Sequence, residues 1–194
     1  MPRLFIGIKI PNPSYIVDIQ NDLQNNLSGS NIKWVEPENF HITLKFLGDV
    51  ESFFINSINQ LLLHLSKKHK SFHLKPAGVG FFGSIRQPHV IWFGFRDNRI
   101  LSAIQSSIDE SLNKLGFSME QKKFSPHLTL GRIKYLAEKS EFVELMGSNK
   151  SFQEDHTISE FQLIQSTLSK EGPVYEVIKS FPLDENTVTN QYLK

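Results

Sequence analysis

The chain has 194 residues, with 39% hydrophobic and 21% charged, which suits one soluble globular unit with a real core and excludes a disordered or fibrous chain. A net charge of +1 is too small for broad capture of nucleic acid along its backbone, so any RNA contact has to be local. The absence of cysteine removes disulfides, thiolate nucleophiles and cysteine-containing zinc sites, and no apolar run reaches the roughly 18 residues of a membrane span. The expectation is a cytoplasmic monomer forming a single domain over residues 1–194.

Arg3 to Ile10 carries Phe5, Ile6, Ile8 and Ile10 and reads as a strand closed by Pro11-Asn12-Pro13. Ser14 can cap a helix in which Ile16, Ile19, Leu23 and Leu27 keep helical spacing up to Gly29. Trp34 to Gly48 alternates as a strand. From Asp49 the period changes, and Ile55, Ile58, Leu61, Leu62 and Leu65 form one stripe of a helix reaching about His69. Two strands follow, Ser71 to Val79 and His89 to Phe95, separated by a loop of glycine and aromatic residues from Gly78 to Gly83.

Asp97 or Asn98 can cap a third helix through Ile100, Ile104, Ile108, Leu112 and Leu115, ended by Gly116. Ser125 to Ile133 reads as strand and Glu138 to Met146 as a short helix stopped at Gly147. Late strands run Glu160 to Leu168 and Val174 to Phe181, before a polar tail after Leu183. Short connections between strands predict antiparallel pairing with helices on one face, an α+β layout.

A short pattern occurs twice: Phe40-His41-Ile42-Thr43-Leu44 and Pro126-His127-Leu128-Thr129-Leu130. Residues two apart on a strand share a face, so His41 and Thr43 project together, while Phe40, Ile42, Leu44 and Phe46 are expected to point into the core. The same parity joins His127 to Thr129 opposite Leu128 and Leu130. One such strand would be commonplace. Two copies 86 positions apart, each set in the order strand, motif, helix, suggest a duplication whose pseudo-twofold axis brings the histidines face to face across a cleft.

The sequence resembles the 2H phosphoesterases, and within them the RNA 2′,3′-cyclic phosphodiesterases, also called 2′-5′ RNA ligases. The resemblance rests on Trp34-Val35, on Glu38 to Gly48, on Phe124-Ser125-Pro126-His127-Leu128-Thr129-Leu130-Gly131-Arg132, on Phe161 to Leu168, and on Gly172, Tyr175 and Phe181-Pro182-Leu183. It implies a bilobed fold of two antiparallel sheets with flanking helices, an active site between the lobes, and neither metal nor cofactor. It further implies hydrolysis of RNA 2′,3′-cyclic phosphate ends to 2′-phosphates, with reverse 2′-5′ ligation as a side activity. His41 would be the proton donor and His127 the acceptor, an order that the near-symmetric motifs do not themselves fix. An imidazole with an ordinary pKa near 6.5 suits either task at neutral pH.

Thr43 and Thr129 would donate hydrogen bonds to non-bridging phosphoryl oxygens. Lys45 shares the parity of His41 and Thr43, so it either extends over the phosphate or is a solvated strand lysine. Arg132 matches the family's Gly-Arg; strict alternation puts it with Leu128 and Leu130, unless a bulge at Gly131 re-aims it. Phe81, Phe82, Trp34 and Tyr175 are candidate stacking platforms for a base, although in a chain with sixteen phenylalanines such rings are more often core. His64, His69 and His73 lack a third-ligand pattern and read as surface histidines. Two alternatives stand beside the leading one: cleavage of 2′-5′ oligoadenylates or small cyclic nucleotides by the same site, and a non-catalytic RNA or nucleotide binding module.

Overall fold

In the computed structural model, residues 1–10, 13–96, 99–147, 155–169 and 172–185 are described; the Pro11-Asn12 turn, the Asp97/Asn98 cap and the tail beyond 185 lie outside them. In chain order the elements are β1 (Arg3–Lys9), α1 (Ser14–Asn26), β2 (Asn31–Trp34), β3 (His41–Asp49), α2 (Ser52–Ser66), β4 (Phe72–Ser84), β5 (Gln87–Arg96), α3 (Arg99–Asn113), β6 (His127–Tyr135), α4 (Lys139–Gly147), β7 (His156–Ile158), β8 (Glu160–Leu168) and β9 (Pro173–Pro182). The expected strand Trp34 to Gly48 is broken. Pro37 opens a single 3₁₀ turn, Pro37–Asn39, and β2 leaves to pair with β6 while β3 pairs with β1. The expected glycine-rich loop is instead the end of β4, hairpinned onto β5, with Gly78 at φ 122° and Gly83 at φ 107° beside its two register shifts.

The described strands make one antiparallel sheet in the order β7-β4-β5-β6-β3-β1-β8-β9, with β2 on β6. Two half-sheets, β3-β1-β8-β9 and β7-β4-β5-β6 with β2, meet at a single ladder pair, Ile42↔Leu128. Each half draws strands from both copies of the motif region. The strand that follows the first motif, β4, pairs with β5 and β7 beside the second motif, whereas β8, which follows the second, pairs with β1 beside the first.

The helices cross in the same way. Against the first half pack α2, on β8, β9 and α3, and α3, on β3; against the second pack α4, on β4, and α1, whose Gln20 side chain donates to the carbonyls of Val35 and Leu130 at 2.8 and 2.9 Å. The stripes Ile16-Ile19-Leu23, Ile58-Leu62-Leu65 and Leu101-Ile104-Ile108-Leu112 are all buried against the sheet. The helix-free face is left to carry the polar motif residues.

Candidate active site

Ile42 and Leu128 are fully buried partners across the seam of the sheet, so His41, Thr43, His127 and Thr129 share its other face. Continued through that pair, the antiparallel register sets His41 beside Thr129 and Thr43 beside His127. His41 and His127 are thus diagonal neighbours, with backbones about 7 to 8 Å apart. Two imidazoles and two hydroxyls converge on one patch of rigid backbone.

Both rings are held identically. His41 Nδ1 lies 2.7 Å from the Asn39 carbonyl oxygen, and His127 Nδ1 lies 2.7 Å from that of Ser125. A carbonyl only accepts, so each Nδ1 carries its proton and each Nε2 is left to exchange one with a ligand. Rings pack around each imidazole. Phe5 and Tyr175 have centroids 4.8 and 5.0 Å from His41, and Phe82 stands edge-on to His127 at 4.7 Å. Burial holds both histidines below the ordinary 6.5, against the raising effect of their carbonyl partners; the charges of Lys9, His127 and Arg132 lower His41 further, and that of Arg132 lowers His127. Burial pushes the Tyr175 hydroxyl up, with Arg132 opposing. The Thr43 and Thr129 hydroxyls have no hydrogen-bond partner among the described residues.

Strand alternation fails immediately after each threonine. On β6, Thr129 pairs with Trp92 but Gly131 with the next residue back, Ile91, so Leu130 is an extra residue bulged out of the ladder. Leu130 and Gly131 are consecutively buried, and Arg132 emerges on the face of His127 and Thr129, where its charge acts on both histidines. Gly131 has no room for a side chain, since a Cβ would lie 2.9 Å from Trp34 Cε3 and 2.9 Å from Ile32 Cγ2.

The first motif repeats the device. On β3, Thr43 pairs with Gly7 and Lys45 with Ile6, skipping Leu44. The result corrects two sequence expectations. Lys45 is turned away from the cleft and buried against α3, where it forms an ion pair with Asp109 and donates to the Ser118 carbonyl at 2.7 Å; its side chain is only 3% exposed and is not a substrate ligand. Phe46, expected in the core, is 68% exposed on the cleft face, opposite Phe5. Parity alone had assigned both wrongly.

Of the candidate platforms, Phe82 and Tyr175 reach the site, whereas Phe81 packs on Phe142 at 5.2 Å behind the sheet. His73 lies 3.2 Å from the Thr157 hydroxyl at the sheet edge, and among the described residues no three metal-ligating side chains gather. Sequence reading missed Lys9, the Cα partner of His41 on β1, because that pairing is set by the fold.

The family described as LigT like Phosphoesterase matches residues 8–92 and 96–175. The chain is 35% identical over 187 residues to the RNA 2′,3′-cyclic phosphodiesterase of Methanocaldococcus jannaschii, spanning 92% of this chain and 99% of that protein. It is 34% identical over 180 residues to the RNA 2′,3′-cyclic phosphodiesterase of Archaeoglobus fulgidus, with the same coverage. Among solved structures, TT0787 of Thermus thermophilus superposes with a TM-score of 0.78 at 23% identity over 95% of this chain and all of that one. Apo LigT of E. coli gives 0.75 at 22% identity, covering 95% of this chain and 98% of that one. At those identities the structures speak for the fold.

Proposed function

Since the chain belongs to the LigT-like phosphoesterase family, we propose that it opens 2′,3′-cyclic phosphates at RNA ends, leaving a 2′-phosphomonoester, with His41 and His127 as acid and base. The observation that carries this reading is the pair of imidazoles fixed through Nδ1 on one cleft face, with both Nε2 atoms directed away from their backbone anchors.

His127 Nε2 takes a proton from water as its oxygen attacks phosphorus, and the bond from phosphorus to O3′ breaks as His41 Nε2 gives its proton to that oxygen. A 2′-phosphate and a free 3′ hydroxyl result. The donor and acceptor order follows the family resemblance of the two motifs. Thr43 and Thr129 donate to the non-bridging oxygens, and Arg132 offsets the negative charge that shifts onto them in the transition state. Lys45 has no part. The same two groups in reverse would support 2′-5′ ligation. No helix among the described residues is long and apolar enough to cross a membrane, and action as a cytoplasmic monomer is part of the proposal.

The test is turnover of a short RNA ending in a 2′,3′-cyclic phosphate, with EDTA present, for the unmodified protein, His41→Ala and His127→Ala. Each substitution is expected to lower the rate at least about 10²-fold. Unchanged rates in both variants would refute the assignment, and a 3′-phosphate product would reverse the leaving oxygen.

A further inference from the structure

Two cations reach His41 from the cleft face, Arg132 and Lys9, whereas a cyclic phosphate carries one negative charge. Lys9 stands directly across the ladder from His41, and its ammonium has no carboxylate within ion-pair distance among the described residues. Immediately beyond it a cavity of about 370 Å³ opens, lined by Lys9, Gln162, Glu160, Ser180, Thr157 and Val177 among others. Its β1, β8 and β9 residues belong to the cleft face. Gln162 is the ladder partner of Gly7, two residues from Lys9, and Ser180 pairs with Gln162.

The cavity wall is pre-set. The Lys9 backbone N–H donates to Gln162 Oε1 at 3.1 Å, and Gln162 Nε2 and the Ser180 hydroxyl both donate to Glu160 Oε1, at 2.7 and 3.1 Å. That leaves Glu160 Oε2 and backbone groups for a ligand's hydroxyl or amino group, beside the exposed side chain of Val177. The volume lies within the range of about 300 to 1,000 Å³ usual for small-molecule sites.

The geometry points to a second subsite, in which Lys9 binds the phosphodiester 5′ of the cyclic end and the cavity takes the nucleoside it joins. This rests on the cyclic phosphodiesterase reading and narrows its substrate class, to oligonucleotide ends over free cyclic mononucleotides. One anion lies between the histidines with Arg132; the next falls to Lys9. Nothing in a cyclic mononucleotide would use the second cation.

The experiment compares kcat/KM for adenosine 2′,3′-cyclic phosphate and for the dinucleotide ApA ending in a 2′,3′-cyclic phosphate. It also measures, by calorimetry, binding of adenosine 2′-phosphate and of ApA 2′-phosphate. The dinucleotide is expected to lead by at least about 10-fold in both measurements, the scale of one charge-assisted phosphate contact. In Lys9→Ala, and in Ser180→Phe, which fills the cavity from an exposed strand position, the ratio is expected to fall toward one. A ratio near one in the unmodified protein, or a ratio kept in both variants, overturns the subsite. Absence of turnover with either substrate overturns the underlying reading instead, and calorimetry still decides whether the cavity holds the second nucleotide.

Discussion

Lys45 and Asp109 form an ion pair between β3 and α3, with side chains 3% and 8% exposed, on the opposite side of the strand from His41. Asp109 also accepts from the Glu120 backbone N–H at 3.0 Å, so the pair ties down the segment that leads toward the second motif. Removing one partner strands a buried charge. Lys45→Met is therefore expected to cost about 3 to 5 kcal/mol in denaturant unfolding, with turnover per folded molecule within about 3-fold of the unmodified protein. A large loss of kcat/KM in a protein of undiminished stability would put Lys45 back in the cleft.

Arg132 reaches the cleft because of the extra residue Leu130, and it has no carboxylate partner among the described residues. Arg132→Ala should lower kcat/KM about 10- to 100-fold, the worth of one charge-assisted hydrogen bond to phosphate. Lysine there should recover only part of it, since it lacks the planar fork. Steady-state kinetics on a cyclic-ended dinucleotide decides, and an alanine variant at full activity would remove Arg132 from the site.

Both histidines are held below 6.5 by burial, so the pH profile of kcat/KM, which reports the free enzyme, is expected to peak below pH 6.5. A bound phosphate anion favours the imidazolium, so the kcat profile should lie at higher pH. Stability follows the same protons. Below about 6.5 the unfolded chain binds protons that the buried rings refuse, so stability is full above that pH and is lost as pH falls toward the folded values. His41→Ala should flatten this slope in unfolding measured from pH 8 to 5; an unaltered slope would count against the depressed value.

Gly80 sits under the Trp92 indole, where a Cβ would lie 2.3 Å from Cζ2. Trp92 cannot retreat over Gly94, already 2.8 Å from its Cζ3 on the same measure, and its neighbour Phe82, 5.6 Å away between centroids, is the ring that stands against His127. Gly80→Ala is expected to cost about 1 to 3 kcal/mol and to lower kcat through displacement of Phe82. Gly147→Ala, where nothing among the described residues lies within 4 Å, is the matched control. Equal behaviour of the two variants in unfolding and kinetics would show that Trp92 moves freely.

The four motif residues were legible in the chain alone. His41, Thr43, His127 and Thr129 share a face because strand parity is local covalent geometry, and the doubling of the pattern was visible without any partner strand. Helix stripes were equally legible, since the 3.6-residue period reports which side meets a core. One residue past each threonine, strand pairing takes over from local geometry. A bulge is a mismatch between two strands, set here by where β1 meets β3 and β5 meets β6, and alternation within one strand carries no trace of it. Those two mismatches exchanged the fates that parity assigned: Lys45 went to the core with Asp109, and Arg132 and Phe46 came to the cleft. Lys9 joined His41 by the same cause, because strand pairing, which sequence distance does not encode, sets which residues stand side by side.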